Sequence, residues 1–206
     1  MEKMSISAGP RTRGIETASG RNGSAPKTKM CVISYSLTGN NEVLAASLAR
    51  TFDAEHVRVV ESGRRTMATI VFDVIFNRTP RVQVVLEDIE QYDLVLFVGP
   101  VWMGQIATPF RACFRELQSR IRSYAFISIC GGADGPNPRL AGELRRRVKH
   151  DPVSVVELHI ADLLPPEPKP ERKDTMVYRV NDSDVRRLTD AVVGVFPRYS
   201  SRRSIL

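Results

Sequence analysis

The chain has 206 residues, 42% of them hydrophobic, enough to enclose one core of about 150 to 180 residues with the rest left for tails. Its formal charge of +7 belongs to the two ends: residues 1 to 29 carry a net +4 and residues 198 to 206 a net +3, so the body between them is neutral. Basic tails on a neutral body argue against a nucleic-acid-binding face, and no apolar run approaches the ~18 residues of a membrane span.

Residues 1 to 29 are rich in Ser, Gly, Thr and basic side chains with few large apolar ones, so they are expected to form a disordered basic tail. A transit peptide is disfavoured by Glu2 and Glu16 and by the weak amphipathic pattern, and an apolar signal segment is missing. The folded domain is expected over 30 to 197, followed by a basic C-terminal tail over 198 to 206. Cys31, Cys113 and Cys130 lie in apolar runs without CxxC or Cys/His ligand spacing. They read as reduced core residues of a cytoplasmic protein.

Met30 to Tyr35 is a short apolar run that reads as a central strand, followed by the polar turn Ser36-Leu-Thr-Gly-Asn-Asn41. Val43, Leu44, Leu48 and Phe52 then recur at helical spacing. A helix start after a hydroxyl-rich turn offers unpaired N–H groups and a positive dipole end, which makes an anion site. Glu55 to Val60 alternates as a second strand, and Met67, Ile70, Val71, Val74, Ile75 and Arg78 fit a helix capped by Ser62 or Thr66 and ended by Thr79-Pro80.

Asp93 to Gly99 and Ser123 to Cys130 are the strongest buried-strand signals, separated by a helix from Thr108-Pro109 to Ile121 with Pro109 in its first turn. Pro138 opens a helix carrying Leu140, Leu144 and Val148 beside a solvated basic face of Arg145, Arg146, Arg147 and Lys149. Val153 to Ile160 reads as the last strand, Pro165 to Lys173 as a surface loop, and Asp182 or Ser183 as the cap of a final helix that Pro197 ends. Five alternations of strand and helix imply an α/β fold: a doubly wound five-stranded parallel sheet of order 2-1-3-4-5 with helices on both faces. Its ligand edge brings together the turns 36 to 41, 99 to 105 and 131 to 137.

The first turn lacks the lysine of a nucleoside-triphosphate loop and the glycine triplet of a dinucleotide fold, so it suits a monophosphate held by N–H groups and hydroxyls. The second, Gly99-Pro-Val-Trp-Met-Gly104, carries the single Trp of the chain, and a tryptophan one turn from a phosphate site reads as a ligand platform. The third, Cys130-Gly-Gly-Ala-Asp-Gly135, allows close backbone approach to a flat ligand.

These three stretches resemble the flavodoxin-like family. Ser36-Leu-Thr-Gly-Asn-Asn41 is similar to the family's phosphate loop, Ser/Thr-x-Thr-Gly-Asn/x-Thr. Tyr92 to Trp102, with Gly104 and Thr108-Pro109, is similar to its third-strand segment, and Cys130-Gly-Gly-Ala-Asp-Gly135 to its next loop. The resemblance spans about residues 30 to 195 and keeps the order of all three motifs.

It implies a non-covalent FMN, with Ser36, Leu37, Thr38, Gly39, Asn40 and Asn41 around the phosphate. Pro100, Val101, Trp102, Met103 and Gly104 would cover the isoalloxazine, and Cys130, Gly131 and Gly132 would line its other side. The implied function is an FMN-dependent flavoprotein in electron transport, or an oxidoreductase acting on a small acceptor such as a quinone. Its partner is a redox protein or that small acceptor, and such families often form homodimers. Asn41 stands where the family has a threonine, with its amide as the substitute donor, and the neutral body departs from the acidic surface of carrier flavodoxins. A flavin-free binding or scaffold module of the same fold is the competing reading. His56, His150 and His159 fall on separate elements and mark no proton-transfer residue, and no metal-ligand cluster stands out.

Overall fold

The computed structural model describes residues 28 to 199 except 62–65, 67, 68, 71, 74, 75, 77, 80, 81, 84–87 and 134. The expected tail over 1 to 29 lies outside the described residues apart from 28 and 29, as does most of the tail over 198 to 206. Of the helix expected from Met67 to Arg78, residues 69, 70, 72 and 73 are helical, while the candidate cap Ser62 and positions 67, 71, 74 and 75 lie outside the described residues.

Five strands form one parallel sheet: β1 (Met30–Ser34), β2 (Glu55–Arg58), β3 (Leu94–Val98), β4 (Tyr124–Cys130) and β5 (Ser154–His159). Their order is β2-β1-β3-β4-β5, as the alternating pattern implies. The helices are α1 (Asn40–Phe52), α2 (Thr108–Leu117), α3 (Leu140–Val148), α4 (Arg172–Val177) and α5 (Asp182–Val195).

Period-2 alternation inside the apolar runs sends successive side chains into two separate cores. Met30, Val32, Leu94, Leu96, Ala125 and Ile127 face α1 and α5, meeting Leu44, Leu48, Leu188 and Val192. Cys31, Ile33, Val95, Phe97, Tyr124 and Phe126 face α2 and α3, meeting Phe110, Phe114, Leu140 and Leu144. The second layer is the aromatic one: Phe97 packs edge-on against Phe110, Phe114 and Tyr124. Such pairs add about 0.5–1.5 kcal/mol each beyond area burial.

Three local expectations are corrected. The final helix is capped by Asn181, not by Asp182 or Ser183: Asn181 Oδ1 accepts from the N–H groups of Ser183 (2.8 Å) and Asp184 (3.1 Å), and Asp184 Oδ2 accepts from Asn181 N–H at 3.0 Å. The stretch read as a loop to Lys173 already enters α4 at Arg172, through a capping box between Glu171 and Asp174. Residues 100 to 104, expected as a covering loop, belong to a hairpin in which Val101–Trp102 pairs antiparallel with Gln105–Ile106.

The sheet fixes the site. β1 pairs with both β2 and β3, so the chain crosses to one side of β1 and then returns past it. That reversal opens a crevice at the carboxyl ends of β1 and β3.

Candidate functional site

The first turn leaves β1 through Tyr35, whose N–H bonds Val98 O at 3.0 Å. Ser36 Oγ accepts from Gly39 N–H at 3.0 Å, closing the turn, and Gly39 adopts φ 92°. A Cβ there would touch nothing within 4 Å, so the left-handed backbone, not lack of space, calls for glycine. Gly39 is the N-cap of α1 and supplies no side-chain cap. The first N–H groups of the helix therefore remain available to an anion.

The two asparagines behave differently from expectation. Asn41 is 3% exposed; its Nδ2 donates to Ile129 O (3.0 Å) and its Oδ1 accepts from Ile129 N–H (2.8 Å). Asn40 donates to Tyr178 O (3.1 Å) and accepts from Val180 N–H (3.2 Å). Both amides staple α1 to other elements, because a buried backbone pair at a strand end needs partners. The idea that the Asn41 amide replaces a phosphate-binding hydroxyl is corrected: what residues 40 and 41 present to an anion is backbone N–H. Thr38 is exposed, and its hydroxyl remains a candidate donor.

In the second turn, a Cβ on Gly99 would lie 2.3 Å from the Phe110 ring and 3.0 Å from Tyr35 O, so only glycine lets the chain pass. Met103 (φ 50°) and Gly104 (φ 76°) form the hairpin tip, both left-handed as a two-residue turn of this kind requires. Trp102 is half-buried, its ring edge-on to Tyr35 with centroids 5.7 Å apart. Asn137 Nδ2 donates to Gly104 O at 2.7 Å, tying the hairpin to the third turn.

In that third turn Gly131 passes Thr175 so closely that a Cβ would stand 2.9 Å from its Oγ1. Gly132 (φ 77°) passes His159, whose Cβ would be 2.3 Å from an added Cβ. Cys130 is half-buried at the cleft edge and not in the core, a correction to its reading as a core residue. Burial pushes the thiols of Cys31, Cys113 and Cys130 up to about 12, so none is a ready nucleophile.

The three turns enclose a cleft of about 290 Å³. Of the expected residues, Leu37, Thr38, Asn40, Asn41, Pro100, Val101, Trp102, Cys130 and Gly131 line it. Ser36 and Gly39 instead border a neighbouring hollow of about 410 Å³. Met103, Gly104 and Gly132 shape the turns without lining either space. The wall of the larger hollow carries Glu42 and Glu61 together with Arg58, which pairs with Glu42. Ile70, Ile160, Thr175 and Met176 complete the smaller cleft and were not foreseen. Thr175 and Met176 come from α4, whose six residues are too few for periodicity to register, although the Glu171-x-x-Asp174 box is a readable start signal.

Behind the first turn, Ser34 is fully buried; its hydroxyl donates to Glu42 Oε2 (2.8 Å) and lies 2.9 Å from His56 Nε2. The hydroxyl has one proton, given to Glu42, so His56 donates to Ser34 through Nε2–H. Burial lowers the His56 pKa; the Glu42 carboxylate opposes that shift and Arg58 reinforces it. Arg58 also pairs directly with Glu42, offsetting an acid that would otherwise repel an anion from the helix start.

The strand order and the cleft at its reversal define the fold as flavodoxin-like. Solved structures agree. The chain is similar to a flavoprotein of Lactobacillus acidophilus NCFM solved in complex with FMN, at 20% identity over 63% of this chain and 93% of that one, TM-score 0.56. It is also similar to candidate flavoproteins of Bacteroides eggerthii (16% identity, 81% and 99% covered, TM-score 0.55) and Bacteroides uniformis (13%, 72% and 96%, TM-score 0.56). No protein-family model and no curated protein sequence matches the chain. Among the described residues, no helix is long and apolar enough to cross a membrane.

Proposed function

We propose that the chain is an FMN-binding redox protein, acting in electron transfer or in reduction of a small acceptor such as a quinone. The observation that carries this reading is the convergence of an uncapped helix start, a half-buried tryptophan and a close-approach glycine on one cleft. An anionic phosphate fits the N–H groups at the start of α1 with the Thr38 hydroxyl beside them, and a flat ring fits between Trp102 and the Cys130-Gly131 edge. At about 290 Å³ the cleft falls just below the ~300–1,000 Å³ of small-molecule sites, which suits a ring left partly open to a redox partner. FMN supplies the one- and two-electron chemistry when bound; the chain positions it, excludes water from one face and tunes it. The unreadable nicotinamide motif favours an external electron donor, while the neutral body, unlike the acidic surface of a carrier flavodoxin, keeps the reductase reading open. The described cysteines are all free, which supports a reducing, cytoplasmic setting.

Titration of FMN with the purified chain tests this reading. Quenching of flavin fluorescence at micromolar protein is expected; absence of both quenching and flavin absorption in the protein fraction refutes it. NAD(P)H consumption with a quinone then separates a reductase from a carrier. The flavin-free scaffold gains support from the commitment of both asparagine amides to the fold, and the same titration decides it.

A further inference from the structure

Beyond the cleft, the carboxyl edge of the sheet assembles a second constellation. Cys130, the last residue of β4, sits in register with His159 on β5. Glu157 lies two residues before His159, and strand alternation puts all three on the face that also carries Phe126 and Val155. One ligating atom from each of Cys130, Glu157 and His159 lies within 4.8 Å of the others.

The details suit a metal. His159 Nε2 is buried without a hydrogen-bond partner, 3.6 Å from Glu157 Oε2. Two ligands about 2.0–2.1 Å from a tetrahedral Zn²⁺ stand about 3.3 Å apart, so a small closure brings these two into range. The other ring nitrogen of His159, Nδ1, lies 3.8 Å from the largely exposed Asp162 carboxylate, beyond hydrogen-bond distance. Asn137 N–H donates to Glu157 Oε2 at 2.9 Å and holds that carboxylate in place. One sulfur, one nitrogen and one oxygen donor disfavour Mg²⁺ and Ca²⁺, which take oxygen shells.

We propose that Cys130, Glu157 and His159 bind a divalent ion of the Zn²⁺ class, with the fourth position open to the adjoining hollow of about 550 Å³ beside Pro136, Asn137 and Pro138. Three protein ligands and an open position is the pattern of a site that takes water or a small ligand. Because Gly132 runs directly over His159, and Gly131 O accepts from Ala161 N–H at 3.0 Å, the ion would fix the turn that borders the neighbouring cleft.

The test uses the full chain, stripped with a chelator and free of flavin, so that its outcome is independent of the FMN titration. Zn²⁺ is measured by competition with a chromophoric chelator and Co²⁺ by absorption. One ion per chain and a thiolate-to-cobalt charge-transfer band are expected. C130S should abolish the band, and H159Q should weaken Zn²⁺ at least about tenfold. Absence of uptake by the wild-type chain, or uptake and band unchanged in C130S, overturns the proposal. Should H159Q fail to fold by circular dichroism, C130S, which exchanges one atom of a half-buried side chain, still decides the matter.

Discussion

Asn41 and Met103 occupy comparable places, each in a turn just beyond a central strand at the carboxyl edge of the sheet. Asn41 is 3% exposed and gives both ends of its amide to the main chain of Ile129. Met103 is 64% exposed at a hairpin tip, where left-handed backbone and not side-chain contact sets the conformation. Nearness to the cleft therefore means two different things. In the first turn the asparagine side chains build the cleft, and the backbone is left for the ligand; in the second, Met103 remains at the surface of a tip that the backbone builds.

The largest effect should come from breaking that construction. Asn41→Ala leaves a buried N–H and a buried C=O of Ile129 unpaired, each worth about 1–3 kcal/mol. A loss of about 2–5 kcal/mol in urea unfolding is expected, against no more than about 0.5 kcal/mol for Met103→Ala. Equal stability of the two variants would show that the contrast between the turns is not energetic.

The same contrast explains what the sequence disclosed. The strand order and the edge at which the three turns meet were legible because Met30 to Ser34, Leu94 to Val98 and Tyr124 to Ile129 are buried apolar runs separated by helical periods. The commitments of Asn40 and Asn41 were not, since their partners at 178, 180 and 129 lie far along the chain and are main-chain groups without a sequence signature. The Cys130, Glu157 and His159 cluster escaped for a related reason. Motif spacing finds ligands on one turn or hairpin, whereas here the register of two parallel strands brings position 130 against 157 and 159. Only the pair at i and i+2 on β5 was a local hint. α4 was hidden by its length, and it reaches the cleft because Gly131 admits Thr175.

A smaller effect sharpens the comparison within the first turn itself. Thr38 is exposed and lines the cleft, so removing its hydroxyl should leave stability within about 0.5 kcal/mol of wild type. With the Asn41 amide committed elsewhere, that hydroxyl is among the few side-chain donors near the phosphate position. Thr38→Ala should then weaken FMN about five- to tenfold, roughly the 1 kcal/mol of one hydrogen bond. Fluorescence titration of both proteins checks it, and unchanged affinity would assign the phosphate to backbone N–H groups alone.

The smallest effect concerns the back of the first turn, where Ser34, Glu42 and His56 form a half-buried polar network against α1. His56 is held neutral mainly by burial, with its pKa below the ordinary histidine value. In the unfolded chain it takes up its proton near pH 6.5, at higher pH than in the folded chain. Between those two values the unfolded state binds more protons, so stability rises with pH and is lost on acidification from about pH 7 downward. His56→Gln removes the titration while keeping an N–H that can reach Ser34. Its unfolding midpoint should fall less than that of wild type between pH 7.5 and 5.5, even if its stability at pH 7.5 is lower. Parallel pH profiles would mean that His56 changes its protonation equally in both states, the Glu42 carboxylate cancelling the effect of burial.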